Sequence, residues 1–226
     1  MDKVIKVGDG LVELVDVMGD AVTVVNAARV SFGTRRDAMD ERDEGLIGFL
    51  MRERHGTPFE HNAFRFHVRC PIFVMREWIR HRIGSFNELS GRYAKIDEAF
   101  YVPALEDVRT QVGKPGAYTF EAVDMETAER TRAAMEASYA ASYAAYEAML
   151  ADGVAKEVAR SVLPVGIMTE FWWTVNARAL MNFLSLRNAE HAQREIRRYA
   201  EAVEALFEAR MPVTHRAFLE HGRSAP

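Results

Sequence analysis

Residues 64–70 alternate without a break: Phe64, Phe66, Val68 and Cys70 fall on one side, and Arg65, His67 and Arg69 on the other. A strict period of two marks a strand with one buried face and one wet face. Whatever this chain folds into must therefore hold a sheet with apolar elements packed against it. The flanking sequence supplies them. Pro71 suits the first turn of a helix through IFVMREWIRHR, which would end on the cations Arg80, His81 and Arg82. Apolar residues recur at helical spacing over 21–32 and 41–54, whereas LVELVDVM at 11–18 alternates like a strand. The β-branched and aromatic run VGIMTEFWWTV at 165–175 reads as a buried strand, with Trp172 and Trp173 in its core.

Asn176 is placed to cap a helix through residue 187, and a longer helix over 189–210 would be closed by Pro212. Residues 119–150 form an Ala-rich stretch with Met135, Tyr139, Tyr143, Tyr146 and Leu150 at intervals of three and four, stopped by Asp152-Gly153. We expect one long helix there, its tyrosines serving as core or subunit interface. A short helix over 154–163 ends at Pro164, residues 84–93 make a polar loop, and 100–102 a short strand. The expected fold class is α+β: a small central sheet wrapped by long helices. No repeat, low-complexity tract or Pro/Ser-rich linker interrupts the chain, so residues 1–226 are expected to form one domain.

Composition narrows the setting. With 49% apolar residues spread through 27% charged ones, no apolar stretch approaches the ~20 residues that span a bilayer. The start, MDKVIKVGDGLVELV, lacks the basic and unbroken apolar segments of a secretory signal, so no membrane partner and a cytoplasmic location are expected. The single cysteine, Cys70, excludes an intramolecular disulfide and falls on the apolar strand face, where it reads as buried and inert. Net charge is −4, yet residues 76–92 carry four Arg against two Glu, and residues 178–198 five Arg against two Glu, leaving −9 elsewhere. Two basic islands in an acidic chain suit a few phosphates held in a pocket better than a nucleic acid, which calls for a broad basic face.

The densest chemistry lies in RHRIGSFNELSGRY: Arg80-His81-Arg82, seven residues, then Ser90, with Ser85, Asn87, Glu88, Gly91 and Arg92 crowding hydrogen-bonding groups into one loop. This string resembles the signature of the flavin-dependent thymidylate synthases. Further blocks resemble that family in the same order: His55-Gly56-Thr57-Pro58-Phe59-Glu60-His61, Glu157-Val158-Ala159-Arg160, Trp173-Thr174-Val175-Asn176-Ala177-Arg178, Met181-Asn182-Phe183-Leu184, and Arg187 with His191-Ala192-Gln193. The likeness runs from about residue 11 to residue 218; the Ala-rich helix and the last residues are generic.

The resemblance implies a homotetramer, with sites at subunit interfaces, that methylates dUMP. FAD is reduced by nicotinamide (NADPH), 5,10-methylenetetrahydrofolate gives the carbon, and flavin hydride completes the methyl group. It assigns Arg187 the role of ionising N3 of the uracil, which removes the need for a cysteine nucleophile, and puts His55 near the flavin ring. It implies that Ser31, Thr57, Arg80, His81, Arg82, Glu88, Asn176, Ala177, Arg178, Asn182 and His191 contact FAD. It implies that Glu77, Arg80, Glu88, Leu89, Ser90, Gly91, Arg92, Arg160 and Arg187 hold dUMP, with Arg160 from a neighbouring subunit. Glu77 departs from the family, where Gln is expected; a carboxylate beside a nucleotide must pair with Arg76 or Arg80, or accept from a ribose hydroxyl, and the last is preferred.

Plainer readings stand beside these. Ser90 reads as a binding group, because no sequence feature sets a base against it. His55, His61 and His67 recur every six residues, an interval that matches no zinc spacing, so no metal is expected. Thr57-Pro58-Phe59-Glu60 has the form of a capping box. Arg194, Arg197 and Arg198 sit among acids and read as a solvated face. A nucleic-acid module built on the two basic islands, and a helical assembly protein built on the Ala/Tyr helix, are the rival classes.

Overall fold

The computed structural model describes residues 3–114 and 117–226. In chain order its elements are β1 (Val4–Val7), β2 (Gly10–Met18), α1 (Ala21–Arg29), α2 (Glu41–Arg52), β3 (Ala63–Pro71), α3 (Ile72–Trp78) and β4 (Ser85–Glu88). There follow β5 (Arg109–Lys114), β6 (Ala117–Ala122), α4 (Met125–Ala151), α5 (Lys156–Ala159), β7 (Met168–Val175), α6 (Ala177–Arg187), α7 (Arg194–Arg210) and α8 (Pro212–Glu220). The expected α+β class is borne out. The chain divides into two compact units: one holds the residues up to Cys70, Val74–Glu88 and Thr169–Pro226, the other Pro71–Phe73 and Leu89–Met168. No helix among the described residues is long and apolar enough to cross a membrane.

The first unit is built on a sheet of order β1-β2-β3-β7-β4, in which β1–β2, β2–β3 and β4–β7 pair antiparallel. The alternation in β3 does what its period requires. Phe64, Phe66, Val68 and Cys70 are all fully buried, while His67 on the other face lies between Glu13 (3.5 Å) and Glu170 (3.4 Å). The buried side meets an aromatic cluster: Phe66 stacks on Trp173 (5.5 Å), Trp78 on Phe183 (4.7 Å), and Phe64 meets Phe207 edge-on (5.5 Å). Aromatic groups of this size supply most of the burial that holds such a core. Trp172 corrects the sequence reading, since strand alternation turns it to the wet face, 45% exposed and beside His67.

The second unit centres on α4. Tyr143 and Tyr146 are buried with Ala159, and both hydroxyls are satisfied by one residue: the Ile96 N–H donates to Tyr146 (3.1 Å) and Tyr143 donates to the Ile96 carbonyl (3.0 Å). Tyr139 stacks on Phe100 at 4.6 Å. The tyrosine stripe is thus core, as expected. Phe100 joins Ile167 only through an isolated bridge rather than a strand over 100–102.

Several boundaries differ from expectation. The long helix begins at Met125, because residues before it form the β5–β6 hairpin, and Asp124 caps the helix by accepting from the Thr127 N–H at 2.8 Å. The longer C-terminal helix begins at Arg194 rather than 189, and Pro212 opens α8 at its first turn, where its missing N–H is not needed. The capping box at 57–60 is not formed: Thr57–Glu60 is a 3-10 turn without a side-chain cap, and Glu60 is turned elsewhere. Most consequential, α3 stops at Trp78. Its terminal ring is locked in the aromatic core, and the polar residues after it leave the helix through the His81 N–H bond to the Trp78 carbonyl (3.0 Å). The expected loop at 84–93 therefore contains β4, paired with β7. Gly84 precedes this strand at a close approach: a Cβ there would lie 3.0 Å from the Thr174 carbonyl and the Trp173 indole, so a larger residue would push these neighbours by a few tenths of an ångström.

Candidate active site

The turn after α3 and one face of α6 line a cavity of about 600 Å³ in the first unit. Arg178, Asn182 and Leu186 are spaced by four along α6 and line it together, while Leu180, Met181, Phe183 and Leu184 are buried on the other side of the same helix. The turn contributes Arg80, His81, Arg82 and Ile83; Asn176, Ala179, Arg187, Glu60, Ala225 and Pro226 complete the wall.

Asn176 takes the predicted cap position and accepts from the Ala179 N–H at 2.9 Å. Asn62, fully within the core, accepts from the Ala177 N–H at 2.8 Å, so the first turn of α6 is fixed from two directions. Arg178 donates from Nη1 to Glu60 (2.6 Å) and from Nε to the Pro226 carbonyl (2.6 Å). Gly56 lies beneath it, and a Cβ at that position would collide with Arg178 Nε, so any larger residue would displace the guanidinium from these two bonds. That contact gives the His55-Gly56-Thr57 block its physical meaning.

At the other end of α6, Arg187 is held by three bonds. Nη1 donates to the Glu77 carboxylate (2.5 Å), Nη2 to the Glu77 carbonyl (3.1 Å), and Nε to His81 Nε2 (3.0 Å). His81 must accept through Nε2 and is therefore neutral; burial and then the Arg187 charge push its pKa down to about 4. Glu77 has neither Arg76 nor Arg80 as its partner. Its carboxylate is committed to Arg187, a pairing that sequence spacing did not suggest. Among the described residues neither Arg80 nor Arg82 has a carboxylate partner, and both face the cavity.

The remaining predicted residues divide. Ser31, on the 3-10 turn Val30–Phe32, and Thr57, His55 and His191 are exposed and do not line the cavity; His55 meets Phe49 edge-on at 5.7 Å. Ala177 is buried behind the cap. Glu88, at the end of β4, accepts from Thr169 at 2.8 Å. Leu89, Ser90, Gly91, Arg92 and Arg160 belong to the second unit. There Ser90 Oγ accepts from the Arg92 N–H (3.3 Å), Arg92 pairs with Glu157 (3.1 Å), and Gly91 packs so tightly that a Cβ would lie 3.1 Å from Arg160 Cδ. Nothing in the sequence marked Glu60, Asn62 or residues 225–226 as part of the wall or its support. Glu60 stood in a family-like block and in the form of a capping box, neither of which pointed to Arg178.

Residues 13–213 match the thymidylate synthase complementing protein family. The chain is 46% identical to the flavin-dependent thymidylate synthase of Thermotoga neapolitana over 213 residues, 94% of this chain and 92% of that protein. It is 46% identical to that of Streptomyces coelicolor over 231 aligned positions, covering 96% and 94%. The chain belongs to the flavin-dependent thymidylate synthase family. It is accordingly a methyltransferase of a flavin-dependent kind. Crystal structures of a UMP/dUMP methylase, PolB from Streptomyces cacaoi, superpose with TM-scores of 0.88 (5-Br UMP bound, 44% identity, 96% and 97% of the two chains) and 0.89 (5-Br dUMP bound, 43%, 96% and 98%).

The cavity suits the flavin cofactor of this family in charge and in size. It falls within the ~300–1,000 Å³ common for cofactor pockets. Two guanidiniums, those of Arg80 and Arg82, lie open to it and supply the positive charge that an anionic group such as a pyrophosphate requires.

Proposed function

We propose that this protein converts dUMP to dTMP by reductive methylation, with 5,10-methylenetetrahydrofolate as carbon donor and NADPH-reduced FAD as hydride donor. The observation that carries this reading is the convergence of Arg80, His81, Arg82, Asn176, Arg178, Asn182 and Arg187 on one cavity, although these residues come from two stretches about a hundred positions apart. Bound FAD would supply the hydride that reduces the transferred one-carbon group to a methyl. The protein's own task is to bind the anionic groups, orient the ring and stabilise charge.

Arg187 is the group proposed to activate the pyrimidine. Uracil becomes nucleophilic at C5 when the N3 proton is lost and the charge spreads through the ring. A guanidinium already oriented by three bonds can stabilise that anion with little reorganisation. This removes the need for a thiolate. Cys70 supports that view: it is fully buried, and burial, followed by the Glu88 charge, drives its thiol strongly upward, away from the thiolate form.

Arg80, Arg82, Arg178, Asn176, Ala177 and Asn182 are assigned to FAD together with His81, and Ser31, Thr57, Glu88 and His191 extend that set; His55 is assigned to the flavin ring. Ser90, Gly91 and Arg92 offer a backbone turn and a cation for the nucleotide phosphate, with Leu89 beside them and Arg160 packed against Gly91; in a homotetramer this group, Arg160 included, would come to the Arg187 of one subunit from a neighbouring subunit. The whole chain, 1–226, would serve as one catalytic domain.

The visible spectrum of the purified protein tests the proposal. An oxidised-flavin spectrum that bleaches on adding dUMP and NADPH, with dTMP formed only when the folate is present, is expected. A colourless protein that binds no FAD would refute it. Mixed oligomers of Arg160→Ala and Arg187→Ala chains should regain activity that neither variant has alone.

A further inference from the structure

Glu204 is a buried carboxylate on α7 that the proposed chemistry does not use. Three side chains converge on it. The Asn188 amide donates to Oε2, His215 Nε2 lies 2.9 Å from Oε1, and Arg223 spans both oxygens at 2.8 and 2.6 Å. Burial alone would raise its pKa, but the bonds from His215, Arg223 and Asn188 outweigh that effect and hold it at about 2. The carboxylate is thus ionised throughout the range in which enzymes work.

Two of its partners lead to the cavity by separate short paths. Asn188 directly follows Arg187 and closes α6, its own N–H donating to the Leu184 carbonyl at 3.0 Å. Arg223 opens the segment that ends on the cavity wall. Its carbonyl accepts from Ser185 of α6 (2.5 Å), and three residues later the Pro226 carbonyl accepts from Arg178 (2.6 Å). Arg223 also holds a left-handed backbone with φ 55°, a conformation that a non-glycine residue keeps only where surrounding contacts impose it.

We propose that Glu204 is the positioning residue for the arginines at both ends of α6, setting Arg187 through Asn188 and Arg178 through Arg223 with the 223–226 segment. This rests on the reading of the cavity as the flavin and dUMP site. If the cluster around Glu204 merely stabilised the fold, removing Asn188 or removing Arg223 would weaken both functions alike or neither. Separate paths predict a split.

The test uses the full chain, with FAD affinity followed by visible absorbance and with kcat and KM for dUMP followed by dTMP formation. Asn188→Ala is expected to lower kcat about tenfold while FAD Kd stays within about threefold of wild type, the size of one charge-assisted hydrogen bond lost. Arg223→Ala is expected to raise FAD Kd about tenfold, with kcat at saturating FAD within about threefold. Glu204→Gln should show both effects; if that variant fails to fold, the other two carry the test. Identical profiles for Asn188→Ala and Arg223→Ala, or wild-type values in either, would overturn the proposal alone, provided the wild type binds FAD and turns over. A wild type that binds no flavin overturns the underlying reading and this proposal with it.

Discussion

The two ends of α6 each present an arginine paired with a carboxylate, yet the pairs are built differently. Arg178, at the first turn, is 47% exposed and is tied to Glu60 and to a backbone carbonyl near the chain's C-terminal residues. Arg187, at the last turn, is 21% exposed and is clamped by Glu77 through side chain and backbone and by a neutral His81. An exposed pair gains little from its Coulomb energy and is readily exchanged for another anion. A half-buried guanidinium with three fixed acceptors keeps one orientation. The proposed function gives the N-terminal arginine to binding, where partners can be swapped on ligand entry, and the C-terminal one to chemistry, where direction matters; the contrast between the two pairs is consistent with that division.

The largest expected effect follows from removing the fixed cation. Arg187→Ala should retain FAD but lose about 10²–10³-fold in dTMP formation, as expected for a group that acts chiefly on developing charge. Near-normal turnover would erase the distinction between the two ends. Arg178→Ala should instead raise the Kd for FAD by roughly 10- to 100-fold, the scale of charge-assisted hydrogen bonds, with kcat at saturating flavin close to wild type. Equilibrium titration with FAD separates these outcomes.

The clamp also has a pH signature. His81 is neutral in the folded protein down to about pH 4, whereas its ordinary value is 6.5. Between those values the unfolded chain binds a proton that the folded protein does not. The contribution is therefore fully present above 6.5 and is lost as pH falls toward 4. Denaturant unfolding at steps across this window should show a loss that is absent in His81→Gln, whose side chain does not titrate. An equal slope in both proteins would mean that His81 is not held neutral. Glu60→Gln should have the smallest effect. Stability should change by less than about 1 kcal/mol and FAD affinity by no more than a few-fold, since the exposed pair is screened by solvent.

Local pattern made much of this protein legible. Strand β3 is apparent from Phe64, Phe66, Val68 and Cys70, because side-chain direction alternates whatever the rest of the fold does. The cap at Asn176 and the reach of α6 to Arg187 are local in the same sense. The β5–β6 hairpin could have been found from Thr110, Val112, Tyr118 and Phe120 flanking a Pro-Gly pair, had the Ala-rich periodicity not drawn the helix too far forward. Arg80, His81 and Arg82 were expected on a helical turn, but α3 ends at Trp78 and they follow it in a turn closed by the bond from the His81 N–H to the Trp78 carbonyl.

What the sequence determined by itself is the α+β class, the identity of most cavity-lining residues and the burial of Cys70, all of which follow from short-range periodicity, residue chemistry and family motifs. Only tertiary structure decided their partners. Arg187 meets Glu77 and His81 across 110 and 106 positions, and Arg178 meets Glu60 across 118. Spacing along the chain carries no information about such pairs: a guanidinium can be satisfied by any carboxylate that packing brings within reach, and packing is set by the burial of aromatic surfaces such as Trp78, Trp173 and Phe183 rather than by the charged groups themselves.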